Sequence, residues 1–246
     1  MKKYFAKAFL GLCALGTSTV AFAQDAAAPA VESGMHQALK TKFIEGGADF
    51  MSLVAIALIF GLAFCLERII YLNLAETNSS KLLKGIEEAL LDKGDVEAAK
   101  AIARDTRGPI ASIAYQGLMR IDQGVDVVER SIVSYGGVQG GLLEKNMSWI
   151  TLFIAMAPSL GFLGTVVGMV MAFDKIEQVG DISPTVVAGG MKVALITTVG
   201  GLIVALILQV FYNYLLSKLE AILNQMEDAS ISLIDLVIKY NLKFKK

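Results

Sequence analysis

Residues 157–169 read APSLGFLGTVVGM, an apolar stretch that nevertheless carries Pro158, Ser159, Gly161, Gly164, Thr165 and Gly168. Inside a helix in water, glycine costs about 1 kcal/mol and proline about 3 kcal/mol relative to alanine. An apolar run that keeps both gives up helix propensity for another reason, and the surrounding chain says which.

The run extends over 149–173, and two others match it, 50–66 and 185–212. Crossing a bilayer takes about 20 apolar residues, with every backbone polar group bonded within the helix. The composition agrees: 55% hydrophobic and 18% charged residues, with a mean hydropathy of +0.60. That is more apolar and less charged than an ordinary soluble domain. The 22 basic and 23 acidic residues leave a net charge of −1, so no basic excess points to nucleic acid.

At the start, the basic MKKYFAK (1–7) precedes the apolar 8–20 and the small-residue site Ala21-Phe22-Ala23. This is the layout of a cleavable signal peptide over 1–23, with an uncleaved anchor as the alternative. Lysines and arginines crowd 67–147 and the tail after 212, whereas the turn DKIEQVGDISP (174–184) holds a single Lys175. The bias of basic residues places both crowded segments in the cytoplasm and the turn outside.

The expected chain is therefore all-α and membrane-embedded, with three spans and long helical cytoplasmic extensions. It runs as signal peptide (1–23), periplasmic segment (24–49), first span (50–72), cytoplasmic helices (73–147), second span (148–173), outer turn (174–184), third span (185–212) and cytoplasmic C-terminal helix (213–246). Within 73–147, the sequence suggests a cap at Asn78, a break at Gly94-Asp95 and further breaks at the glycines of 125–148. No nucleophile set, nucleotide loop or metal spacing occurs. His36 is the only histidine, and Cys13 and Cys65 are the only cysteines. Neither an enzyme nor a cofactor is indicated.

A helix turns about 100° per residue, which puts Pro158, Gly161, Thr165, Gly168 and Ala172 on one narrow stripe of the second span. Ala194, Thr198, Gly201, Ala205 and Gln209 share a face of the third. Small residues let helix backbones approach closely in a membrane, and isolated hydroxyls supply hydrogen bonds that lipid does not. Pro158, Gly161, Gly164, Gly168, Ala194, Gly201 and Ala205 therefore read as a packing seam. Thr165, Thr198 and Gln209 read as candidates for a wet path along it. Lys192 lies within the third span, about 120° around the helix from Thr198. It either snorkels or bonds between helices, or it stands at the outer mouth of the path.

These residues also carry a resemblance. APSLGFLGTVVGMVMAF (157–173), ALITTVGGLIVAL (194–206), LERIIYL (66–72) and LLEKNMSWI (142–150) resemble the ExbB/TolQ family, relatives of the flagellar stator protein MotA, and the overall layout is most similar to the ExbB branch. The resemblance implies an inner-membrane homopentamer around a single-span, ExbD-type partner. It further implies that proton flow through the unit energises TonB-dependent outer-membrane transport through a TonB-type protein. By motif, Thr165 and Thr198 match the family's channel threonines. One position departs: where the family commonly has a glutamate before Ala194, this chain has Val193, next to Lys192.

No Asp or Glu lies in the core of any span. A proton path needs a group that titrates within the membrane, so the carboxylate would come from another chain. A non-conducting membrane scaffold, a TolQ- or MotA-like unit and a sodium-driven unit remain open on the residues alone.

Overall fold

A computed structural model of the chain describes residues 35–180 and 184–244. The signal peptide expected at 1–23 and the middle of the outer turn, 181–183, lie outside the described residues. The chain divides after Lys42. Of the first unit the structure describes only 35–42, the opening turns of a helix, and the rest of the account concerns the second.

The described elements are all helical: α1 (Met35–Glu45), α2 (Ala48–Ala75), α3 (Ser79–Glu87), α4 (Val96–Asp105), α5 (Pro109–Leu118), α6 (Val125–Glu144), α7 (Met147–Val179) and α8 (Pro184–Phe244). A π-helical turn, Glu88–Asp92, follows α3, and a single 3₁₀ turn, Ile121–Gln123, joins α5 to α6. The stretches containing α2, α7 and α8 are long and apolar enough to cross a membrane.

α7 and α8 form the most extensive helix pair, and α2 lies against both. α2 meets α7 through a ladder of rings. Phe60 stacks on Phe153 at 6.2 Å, and Phe64 lies between Trp149 at 5.9 Å and Phe153 at 6.1 Å. Against α8, Gly61 of α2 makes room for the branched tip of Leu208.

The third span and the C-terminal helix are one continuous element. Nothing between Tyr212 and Asn213 breaks a helix, and Leu208, Leu215, Leu219, Ile222, Met226, Leu233 and Val237 keep one face buried across the whole length. The lower half of that face closes a helical head built from α3 to α6, whose core holds Leu82, Ile86, Leu90, Ile113, Leu118, Val128 and Ile132. Burying side chains of this size contributes roughly 1.5–3 kcal/mol each.

Local signals account for some of the head's boundaries. The Asn78 side chain accepts from Lys81 N at 3.2 Å to start α3, and Asp95 accepts from Ala98 N at 3.0 Å to start α4. Gly94, just before it, adopts φ +66. The glycines of α6 behave otherwise than the sequence suggests. Gly136, Gly137, Gly140 and Gly141 lie inside an unbroken helix. A mid-helix glycine costs only about 1 kcal/mol, and α6 holds Val128, Ile132 and Leu143 in the core. The chain breaks instead at Lys145 and Asn146, the latter left-handed with φ 66.

Candidate functional site: a hydroxyl pair on a glycine seam

Where α7 crosses α8, backbone lies on backbone. A Cβ on Gly161 would stand 2.9 Å from Thr197 O and 3.1 Å from Thr198 Cα. A Cβ on Gly201 would run into Ala157 O, and one on Gly168 would sit 3.3 Å from Ala194 N. Gly164 meets the side chain of Thr197, where an added Cβ would lie 2.7 Å from Oγ1. The buried row of α7 is Phe153, Ala157, Gly161, Gly164, Gly168 and Ala172, and that of α8 is Ala194, Thr197, Gly201, Val204 and Leu208. The two helices touch through Ala157, Gly161, Gly164 and Gly168 on one side and Ala194, Thr197, Thr198 and Gly201 on the other. Pro158 and Ala205 stand half-buried at its margin. The absence of side chains brings these helices together, because dispersion and carbonyl contacts strengthen as backbones close.

Two hydroxyls flank the seam. Thr165 Oγ1 and Thr198 Oγ1 are 3.4 Å apart, and both residues are half-buried. Each hydroxyl has one proton to donate and two lone pairs to accept with. Thr165 donates to Phe162 O at 2.5 Å. Thr198 is within 3.3 Å of Gly161 O across the seam and 3.4 Å of Ala194 O on its own helix. Thr165 directs its proton at a carbonyl, Thr198 has two carbonyls and the Thr165 oxygen to donate to, and in each case the pair keeps acceptor lone pairs for whatever lies on its open side. A water, a protonated carboxyl or a cation satisfies them, whereas lipid does not.

Thr197, the neighbour, is differently placed. It is fully buried, donates to Ala194 O at 2.8 Å and fills the hollow left by Gly164. Its hydroxyl belongs to the seam.

The structure does not bring the other two path candidates to the pair. Lys192 Nζ is 2.8 Å from Glu45 Oε1, at the end of α1. Its direction around α8 separates it from Thr198, and its ammonium is engaged between elements. Gln209 is exposed, and its amide donates to Asn213 Oδ1 at 3.4 Å, a contact along its own helix. At 1.5 Å rise per residue it stands about 16 Å along α8 from Thr198.

Sequence reasoning missed Glu45. A lone acid before a span reads as a boundary residue, and its pairing with a lysine far along the chain has no local signal. It also missed the cluster around Arg68, where a charge next to the membrane edge reads first as a topology determinant.

Among the described residues, no group of three or more His, Cys, Asp or Glu could hold a metal ion. The polar groups at the seam are hydroxyls and backbone carbonyls.

Comparison with known proteins adds the following. Residues 105–228, which hold both threonines, match the model of the MotA/TolQ/ExbB proton channel family. A putative biopolymer transport protein ExbB homolog of Methanothermobacter thermautotrophicus is 28% identical over 186 residues, covering 75% of this chain and 65% of its own length. Biopolymer transport protein exbB1 of Vibrio cholerae is 36% identical over 89 residues, or 33% of this chain and 39% of that protein. The ExbB of Aquifex aeolicus is 35% identical over 78 residues, 32% of this chain and 53% of that protein. The chain thus spans about two thirds or less of the length of these relatives.

Proposed function

We infer what this chain does from one premise: it belongs to the MotA/TolQ/ExbB proton channel family. We propose that it is the multi-span subunit of an inner-membrane proton channel of the ExbB type. It assembles as a homopentamer around an ExbD-type single-span protein, and proton flow through the unit energises TonB-dependent outer-membrane transport. The head and the C-terminal end of α8 lie in the cytoplasm. The segment before α2 lies in the periplasm after signal cleavage.

One observation supports this reading above the others: the Thr165–Thr198 hydroxyl pair, 3.4 Å apart, in a chain whose spans hold no acid in their cores. Neither threonine titrates near neutral pH, so the chain supplies polar acceptors and no proton carrier. A carboxyl lodged on the open side of the pair would lose water, which favours its neutral form. That neutral form has an O–H to donate to the threonine lone pairs. Such a group loads a proton from one side and releases it to the other as its surroundings alternate. Each charge moved through 100 mV makes about 2.3 kcal/mol available for work. The carboxyl belongs to the membrane segment of the single-span partner.

The test is reconstitution in liposomes with and without that partner, recording proton uptake under an imposed potential. The pair should conduct and the chain alone should not. Equal uptake by the chain alone would overturn the division of labour.

A further inference from the structure

Two long helices of this chain meet at a joint of only two residues. α6 ends at Glu144, Lys145 is extended at φ −51 and ψ 139, Asn146 is left-handed at φ 66 and ψ −3, and α7 begins at Met147. A helix end leaves its last carbonyls without partners, and leaving such groups buried and unbonded costs free energy. Here the carbonyls of Leu142 and Leu143 accept from Arg68 Nη1 at 3.4 and 3.3 Å.

Arg68 comes from α2, and it is 2% exposed. Its remaining donors form a fork on the adjacent carboxylate, with Nε 2.9 Å from Glu67 Oε2 and Nη2 2.7 Å from Glu67 Oε1. Asn146, the left-handed residue of the joint, donates its amide to the same Glu67 Oε2 at 3.2 Å. The guanidinium carbon lies 4.4 Å from the centre of the Tyr71 ring. The ring of contacts is closed: α2 grips the end of α6 through Arg68 and the start of α7 through Glu67. A planar guanidinium serves both jobs at once, whereas a lysine ammonium is a point donor without the fork.

We propose that Arg68 is a positioning residue that fixes the angle at which α6 meets α7, so that the joint between head and membrane helix is rigid on the side away from the continuous α8. The consequence for conduction rests on the reading of Thr165 and Thr198 given above, because α7 carries Thr165. The proposal about the joint itself stands on the contacts at residues 67, 68, 142, 143 and 146.

The test measures the joint and the flux separately. Spin labels at Val133 of α6 and Phe162 of α7, both exposed, are placed in a Cys13→Ser, Cys65→Ala background, and labelled chain is diluted with unlabelled chain in the reconstituted complex. The parent chain should give one narrow distance distribution. Arg68→Lys should broaden or shift it by several ångströms and lower proton uptake per assembled complex by about fivefold or more, the lower end of typical coupling between sites. Asn146→Gly keeps the left-handed backbone and Arg68 but deletes the amide. It should broaden the distribution with assembly intact, and it decides the matter if Arg68→Lys fails to assemble. A distribution unchanged in both variants would overturn the proposal, as would uptake lost in Arg68→Lys with the distance unmoved. The distance decides the joint whether or not the complex conducts, so failure of the parent complex to take up protons would count against the functional reading alone.

Discussion

Two glycines of this chain sit in contacts of opposite character. On Gly161, where α7 crosses α8, an added Cβ would meet backbone: Thr197 O at 2.9 Å and Thr198 Cα at 3.1 Å. On Gly61, where α2 lies along α8, it would meet only the end of a side chain, Leu208 Cδ1 at 2.6 Å and Cδ2 at 2.8 Å. A leucine tip can swing to another rotamer, whereas a helix backbone can yield only by separating the helices. The α7–α8 seam is therefore fixed in spacing, and the α2 contact, with its stacked rings and movable tips, is a buttress that can adapt. Hydroxyls 3.4 Å apart across a seam of fixed spacing keep their geometry. That is what a site for a reversibly docked group requires.

The largest effect should come from forcing the seam. Gly161→Leu drives a side chain into the α8 backbone at Thr197 and Thr198, a clash beyond the 1–3 kcal/mol typical of about one or two added methylenes. The complex should fall apart on a native gel. An intact complex that has lost only its conduction would show instead that this glycine lines the path, and the contrast between seam and buttress would fail.

A smaller effect, confined to function, should follow from the hydroxyls. Thr165→Val and Thr198→Val keep shape and delete the acceptors, so the assembly should persist while potential-driven uptake drops by about tenfold or more, equivalent to roughly 1.4 kcal/mol at the barrier. Normal uptake in both variants would remove the pair from the path. The smallest effects belong to the periphery. Gly61→Ala should assemble and conduct close to the parent after Leu208 shifts. Lys192→Met should change uptake less than twofold, since its pair with Glu45 is partly exposed and such pairs contribute about 0–1 kcal/mol. Uptake as damaged by Lys192→Met as by the threonine variants would place the lysine in the path.

Much of this was legible in the residues. Span-length apolar runs announce three membrane helices, and small residues at three- and four-residue spacing announce a seam. What the helix wheel does not give is which edge of a stripe meets the partner. It grouped Thr165 with Gly161 and Gly168, whereas the buried row runs through Gly164, with Thr165 at its margin. It likewise placed Gln209 with Thr198, although the buried row of α8 passes through Val204 and Leu208. Rotation about a helix axis is set by the neighbour's shape, and one helix's sequence does not contain it. The same holds for the joint at Asn146. Four glycines upstream looked like better breaking points, but core contacts hold α6 together across them, and the left-handed turn falls where Arg68 can satisfy the last carbonyls of α6 and Glu67 can accept from the side-chain amide of Asn146. The boundary at 212–213 marked a change from apolar to mixed composition, which a continuous helix passes without a break.

The central claim is that the Thr165–Thr198 pair receives a protonated carboxyl supplied by another chain. The infrared spectrum of the reconstituted complex tests it most directly, through the carbonyl stretch of a protonated carboxyl. The account predicts a band present with the single-span partner, absent from the chain alone, and shifted in frequency by Thr165→Val and Thr198→Val as the hydrogen bond is lost. A band of the same frequency in the threonine variants, or one already present in the chain alone, would contradict it.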